Sequence, residues 1–537
     1  MDEERERARS AVGELLTCGY QEAGAPPEAF LARVRRGEMG GVILFARNVP
    51  TLESALEIRR ALDEAGGQSL LVAIDEEGGW VSRLPAPWPR LPAAMALGAA
   101  AADRPEAVRE YARRLGAALR ALGINQDYAP VLDVNTAPDN PIIGSRAFGD
   151  RPETVASLGS AFAAGLEAAG VIATGKHFPG HGATRVDSHL DLPVLDFGLE
   201  RLEAVELVPF AAAAAAGMSA IMTAHVALPN VAEAPDLPAT LSRQVLTGLV
   251  RERLRFDGLL VTDCMEMQGV TRARSTPEAA VMAVAAGADQ VLVSHTAELQ
   301  EATLGALERA VADGRLAPER VLEAAARVRR LRDRVAALPP APAPEQAVSL
   351  LAEAAGRLAA ESVYVPAPPA SGAAGGGEGT ATWYVPAAAA GDARWRLILG
   401  GVRDAADRAA GAAAQVVEVG PEGEPAGALA PAGSRVVLVV PSLRRHPGWL
   451  ALWQRLEGRR RSAVVVEDPY DAAHLTGAEH VVVAPTPAPA AVARAVAVLL
   501  GRLPAPGRPP IAPPALPGAL QGASFSALEH RADGRHG

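Results

Sequence analysis

The 537-residue chain carries 52 Lys+Arg against 62 Asp+Glu, a net charge of −10, and 49% hydrophobic residues. That length exceeds one ordinary core and predicts two domains, while the acidic balance, with no basic stretch beyond Arg459 to Arg461, leaves no electrostatic footprint for nucleic acid. Cys18 and Cys264 are too few for a disulfide framework and read as two buried thiols.

The N-terminus, Met1-Asp-Glu-Glu-Arg-Glu-Arg-Ala-Arg, is charged throughout, lacks the apolar core of a signal peptide, and is followed by no apolar run of membrane-spanning length. The expected location is the cytoplasm, without membrane contact. From residue 11 to about 335, short β-branched runs alternate with Ala/Leu/Arg-rich helical stretches, the pattern of a parallel α/β fold. Strands are expected at Leu15 to Tyr20, Gly41 to Phe45, Leu70 to Asp75, Ile124 to Val134, Val171 to His177, Ala220 to Val226, Leu259 to Asp263 and Gln290 to Val293. Eight such strands predict a closed (β/α)8 TIM-type barrel over residues 1–336, with its active site at the C-terminal strand ends. Those ends carry Asp75, Lys176-His177, His225 and Asp263, so the polar chemistry lies where this fold collects it.

A Pro-Pro-Ala-Pro-Ala-Pro run marks a stiff linker at 337–348. Beyond it, Val363 to Val365, Thr382 to Val385, Val416 to Val419, Val436 to Val440, Ala463 to Val466 and His480 to Val483 read as strands of a smaller α/β sandwich-like domain, 349–503, which shows no strong catalytic motif. Residues 504–537 are Pro-rich, then polar, and are expected to be loosely packed.

Of the 52 basic residues, only Lys176 is a lysine. Arginine serves wherever a surface cation suffices, so a surviving compact ammonium points to a tight polar site. Lys176 opens the densest polar stretch, Lys-His-Phe-Pro-Gly-His-Gly-Ala-Thr-Arg-Val-Asp187-Ser-His189. A metal site would need a second donor cluster, and none has the spacing, so no metal or cofactor is assigned. Proton transfer fits better: Asp187 and His189 are alternate residues on one loop, where a carboxylate can fix an imidazole tautomer. Asp263 ends an apolar strand and reads equally as a nucleophile or an ion-pair partner. Asp75 begins Asp-Glu-Glu-Gly-Gly-Trp-Val-Ser-Arg83, in which carboxylate and guanidinium suit a polyhydroxylated ligand. Arg146, in Asn-Pro-Ile-Ile-Gly-Ser-Arg, reads alone as an exposed loop charge.

Together the four stretches resemble the β-N-acetylglucosaminidases of glycoside hydrolase family 3, the Lys-His-Phe-Pro-Gly-His-Gly segment and the following Asp-Ser-His being specific to that branch. The resemblance implies a retaining hydrolase with Asp263 as nucleophile, His189 oriented by Asp187 as acid/base, and Asp75, Arg83, Arg146, Lys176 and His177 holding the terminal sugar. It further implies a GlcNAc-containing oligosaccharide or muropeptide as substrate and, with the expected cytoplasmic location, cell-wall recycling as the setting; no obligate protein partner is evident from the sequence. Two positions depart from the pattern. Glu76 stands where Gln is commoner and is expected to add negative charge near the sugar, and Cys264 stands where Ala, Asp or Ser is usual. The alternatives are a phosphorylase using phosphate instead of water, since a neutral His does not repel that anion, and a non-catalytic sugar-binding barrel.

Overall fold

In the computed structural model, residues 2–67, 70–186, 191–366, 381–387, 415–420, 422–443, 446–466, 468–500 and 502–511 are described. The chain divides into two compact units, Met1–Ala359 and Ala360–Gly537.

The first unit is a parallel barrel of β1 (Leu16–Cys18), β2 (Gly41–Leu44), β3 (Leu71–Ile74), β4 (Gln126–Asp127), β5 (Ile172–Phe178), β6 (Ala220–Thr223), β7 (Leu259–Thr262) and β8 (Val291–Val293). Neighbours follow chain order, and β1 pairs with β8. The ring is completed by a parallel bridge between Val261 and Gln290, with the Thr262 N–H donating to the Gln290 carbonyl at 3.0 Å. Every residue of these strands is buried, as expected of parallel strands covered on both faces. Local signals place the helices between them. Thr51 and Ser54 form a reciprocal cap at the start of Leu52–Leu62, and proline opens the helices Pro105–Ala121, Pro152–Ala168 and Pro318–Ala336.

The expected fourth strand is much shorter than Ile124 to Val134. Pro130 has no N–H to continue a ladder, and beyond Asp127 the chain keeps to β5 by separate contacts, the Leu132 N–H to the Lys176 carbonyl at 2.6 Å and the Lys176 N–H to the Pro130 carbonyl at 3.1 Å. This irregular run turns Asp133 toward the barrel mouth.

Inside the barrel, Ile43, Ala73, Tyr128, Met222, Val261, Cys264, Met267 and Leu292 form one apolar layer beneath the C-terminal strand ends. At the opposite end, Leu71, Ile172, Ala220, Leu259 and Val328 form another. Around that floor, fully buried Asp289 pairs with Arg251 at 2.6 Å, with Arg327 at 3.3 Å and with Arg320. Arg327 also reaches Glu323 on its own helix and Asp257, both at 2.8 Å, and the bond to Asp257 fastens the Pro318–Ala336 helix beneath the barrel. Residues 339–343 are non-helical, and the next helix, Pro344–Glu361, buries Ala347, Leu351, Ala354 and Leu358 in the core of the first unit.

The second unit contains a five-stranded parallel sheet of β9 (Thr382–Pro386), β10 (Gln415–Val419), β11 (Arg435–Val440), β12 (Arg460–Val466) and β13 (His480–Ala484), in the order β10-β9-β11-β12-β13. The strand expected at Val363 to Val365 is reduced to one antiparallel bridge between Tyr364 and Val483. Among the described residues no helix is long and apolar enough to cross a membrane. Cys18 and Cys264 are both buried free thiols.

Candidate active site

Lys176 lies near the end of β5 and is only 2% exposed. An ammonium is tolerated there only with carboxylates on it. Its Nζ is 2.7 Å from Asp75 Oδ1 and 2.5 Å from Glu77 Oε1. Asp75 follows β3 directly, and alternate residues of an extended chain face one way, which brings both carboxylates to the same ammonium. Glu77 also receives a two-pronged bond from Arg146, Nε to Oε2 at 2.8 Å and Nη2 to Oε1 at 2.9 Å. Burial works to raise the Glu77 carboxyl, but the charges of Arg146 and Lys176 outweigh it and hold the group well below the usual carboxylate range. Burial likewise opposes the Lys176 charge, and Asp75 and Glu77 more than compensate, so the ammonium is stabilised.

Arg146 owes its place to a folded loop. Asn140 Oδ1 accepts the N–H groups of Ile142 (2.9 Å) and Ile143 (2.8 Å), and its Nδ2 donates to the His181 carbonyl at 2.8 Å. Asn135 Oδ1 takes the Gly144 N–H at 3.2 Å. Arg146 is thereby an enclosed cation, with Nη2 3.3 Å from His177 Nε2, not an exposed loop charge. His177 Nδ1 lies 2.7 Å from Asp133 Oδ2, and Asp133 Oδ1 accepts the His181 N–H at 2.6 Å. Burial would raise Asp133, yet the neighbouring His177 and His181 keep it below its ordinary value. The carboxylate thus accepts a hydrogen bond from His177 Nδ1–H, which turns Nε2 toward Arg146. Burial pushes His181 itself down to about 4, and its Nδ1 meets Thr184 Oγ1 at 2.6 Å. Gly182 packs so closely that a Cβ there would sit 2.0 Å from the Val134 carbonyl oxygen.

Asp263 follows β7 at the same end of the barrel. Its N–H donates to the Thr223 carbonyl at 3.2 Å, and Oδ1 accepts the Cys264 N–H at 2.7 Å. Fully buried His225 meets the Cys264 carbonyl through Nε2 at 3.0 Å, which steadies the turn. Between the two sides, burial and then the Asp75 charge push the Tyr128 phenol up, with Asp263 adding to the same effect. Glu266 accepts the N–H groups of His295 (2.7 Å) and Thr296 (3.0 Å), tying the β7 and β8 loops together. Burial, then the Glu266 charge, push the Cys264 thiol up to about 12. Among the described residues, Cys264, Glu266 and His295 form the one donor group close enough to hold a metal, within 4.8 Å of one another. Arg47 already supplies a cation there, with Nη2 3.2 Å from His295 Nδ1 and its guanidinium 4.3 Å from the Phe45 ring centre.

Of the residues singled out from sequence, Asp75, Arg83, Arg146, Lys176 and His177 converge. Arg83 Nη2 lies 3.6 Å from Asp75 Oδ2, completing that side. Asp187 and His189 lie outside the described residues. Glu76 does not add charge at this mouth: it is fully buried, facing away between Asp75 and Glu77. Sequence reasoning missed Glu77 and Asp133. Glu77 shares the parity of Asp75, and Asp133 is a carboxylate inside the apolar Val131-Leu-Asp-Val run, the same signal that marked Asp263.

The sequence profile of the Glycosyl hydrolase family 3 N terminal domain matches residues 9–331. The chain belongs to glycosyl hydrolase family 3. This family 3 chain is 41% identical over 261 residues to a β-hexosaminidase of Xylella fastidiosa (strain 9a5c), covering 48% of the chain and 76% of that relative. It is 40% identical over 284 residues to a β-hexosaminidase of Chromobacterium violaceum, covering 52% and 78%. A solved family 3 β-N-acetylglucosaminidase from Paenibacillus sp. str. FPU-7 superposes with a TM-score of 0.82 at 32% identity, over 94% of this chain and 98% of that one.

Proposed function

We propose that this family 3 chain is a retaining, exo-acting β-N-acetylhexosaminidase that removes terminal β-linked GlcNAc from muropeptides or short amino-sugar chains. The observation that carries the reading is the buried Lys176–Asp75–Glu77–Arg146–His177–Asp133 network at the strand ends of the barrel that also presents Asp263. An ammonium has three donors, and two are committed to Asp75 and Glu77, which leaves one for a sugar hydroxyl. Asp75 and Arg83 remain partly exposed and complete a rim of acceptor and donor groups.

In the proposed reaction an Asp263 oxygen attacks the anomeric carbon as the glycosidic C–O bond breaks, and His189 gives its proton to the leaving oxygen. The resulting glycosyl ester is then attacked by water, whose proton returns to His189, and two inversions retain the configuration. Asp187 orients the imidazole. The names of the hexosaminidase relatives support the 2-acetamido sugar.

The test is a panel of aryl β-glycosides assayed with and without inorganic phosphate, together with a slow 2-acetamido sugar substrate to trap the intermediate. Hydrolysis of the GlcNAc glycoside at a rate indifferent to phosphate, with the label on Asp263, is expected. A glycosyl phosphate product would make the chain a phosphorylase, and binding without turnover would make it a sugar sensor.

A further inference from the structure

We infer that Glu76 is a positioning residue, whose buried carboxylate fastens the loop behind Asp75 and so holds Arg83 against the sugar. The inference rests on the assignment of Arg83 to the sugar site. Chain alternation turns Asp75 and Glu77 to the barrel mouth and Glu76 underneath, where it is wholly enclosed. There Oε1 accepts the Ser82 hydroxyl at 2.5 Å and the Trp88 indole N–H at 3.2 Å, and Oε2 accepts the Arg83 backbone N–H at 2.8 Å. One carboxylate therefore closes a loop that reverses at Gly78 (φ +92°) and Gly79 (φ +58°). The reversal is pinned by the Glu77 N–H to the Val81 carbonyl at 3.0 Å.

The choice of acid over amide follows from the donors. The Arg83 and Trp88 N–H groups are fixed donors aimed at different oxygens, and an amide offers one acceptor oxygen beside an NH2. In either orientation Gln would set a donor against a donor. A protonated carboxyl fails in a milder way, because one of its two oxygens becomes a donor itself.

The surroundings make that second failure accessible. Burial pushes Glu76 up to about 7, against the opposing pull of Ser82 and Arg83. The charged and titratable groups that face it are Arg83 on its own loop, Asp127 at the end of β4 and Tyr111 on the helix Pro105–Ala121. Asp127 Oδ1 accepts the Glu76 N–H at 3.0 Å, while Asp127 Oδ2 and the Tyr111 hydroxyl are buried with no hydrogen-bond partner among the described residues. Burial also pushes Asp127 well up, with the Glu76 charge adding to the effect, while Lys176 and Asp75 act on Asp127 from the mouth.

The test measures GlcNAc binding and aryl β-GlcNAc turnover from pH 5.5 to 8.5 in the full chain and in Glu76→Gln, Ser82→Ala and Arg83→Ala. Losing a charge-assisted hydrogen bond should weaken GlcNAc about tenfold in Glu76→Gln at pH 8, raising KM with kcat within about threefold. The wild-type affinity should fall as pH drops through neutrality, and in Glu76→Gln that fall should vanish. Ser82→Ala removes a bond to the charged form and leaves Arg83 in place, so the fall should move to higher pH; this variant carries the test if Glu76→Gln does not fold. If Arg83→Ala weakens binding while Glu76→Gln and Ser82→Ala keep the wild-type pH curve, the positioning role is wrong and the sugar-site assignment stands. If Arg83→Ala binds GlcNAc as wild type, that assignment fails first and the inference falls with it.

Discussion

Among the described residues, a buried ion network lies at each end of the barrel. On the floor, Asp289 gathers Arg251, Arg320 and Arg327, and most of the arginines' other donors go to Asp257, Glu323 and nearby backbone carbonyls, Arg320 Nε having no partner among the described residues. At the mouth, Lys176 gathers Asp75 and Glu77 and keeps a third donor, and Asp75 and Arg83 stay partly exposed to solvent. A buried network satisfied mostly from within serves to hold elements together, whereas one left open at a strand end is prepared for a polar ligand. The difference teaches which charges to read as architecture and which as chemistry.

That contrast breaks most visibly at Asp263. If Asp263 is the nucleophile as proposed, Asp263→Ala should lower turnover by a factor on the order of 10⁴ or more, while thermal unfolding stays close to wild type. A folded variant with near-normal rate would remove Asp263 from the mechanism. On the floor the pattern should invert. Asp289→Ala leaves one buried and two partly buried guanidinium groups short of a partner and should reduce unfolding free energy by about 3–5 kcal/mol, with kcat/KM per folded molecule within about twofold. A large kinetic defect without a stability defect would show the two ends to be coupled. Next, Lys176→Arg keeps the charge but replaces a point donor with a wide planar one, and kcat/KM should fall about 10²-fold. An unchanged specificity constant would show that any cation serves there.

The smallest effect concerns two adjacent carboxylates with opposite pH signatures. Glu76 is pushed up to about 7 in the fold. Between its unfolded value, about 4.3, and 7, the folded chain keeps a proton that the unfolded chain has lost. Stability from Glu76 is therefore complete below the unfolded value and is lost as pH rises from there through 7. Glu77 is held low by Arg146 and Lys176 against its burial, so its contribution is present above the unfolded value and is lost as pH falls below it. Denaturant melts across pH 3 to 9 should show Glu76→Gln flattening the neutral slope and Glu77→Gln flattening the acid slope. Identical curves for the two variants would mean that their environments do not differ.

Much of this was legible because apolar runs and their polar ends are local signals. Seven of the eight expected barrel strands recur within a few residues, and the polar groups at their ends converge as the fold requires. Beyond Asp127, backbone pairing depends on which residues lack an N–H and on the neighbouring strand, so an apolar run there overstated β4. The residues carried by conspicuous motifs, Asp75, Arg83, Arg146, Lys176 and His177, come together at one end of the barrel. Asp133 and Glu77 were missed because their importance lies in partners more than 40 positions away in the chain, Asp133 with His177 and Glu77 with Arg146 and Lys176. Glu76 was misplaced for a related reason: composition reveals a charge, whereas the face it takes follows from the reversal at Gly78 and Gly79.

The solitary lysine has a practical consequence. With one ε-amine in 537 residues, and that amine 2% exposed, an acylating reagent finds on the folded chain little to modify beyond the α-amino group. Acylation of Lys176 can then proceed only as fast as the barrel mouth opens locally or the chain unfolds, which makes its rate a chemical clock for motion at this one place. A sugar lying against the ammonium would slow that clock, so a single modified peptide, read by mass, would report occupancy, opening and unfolding without any engineered label.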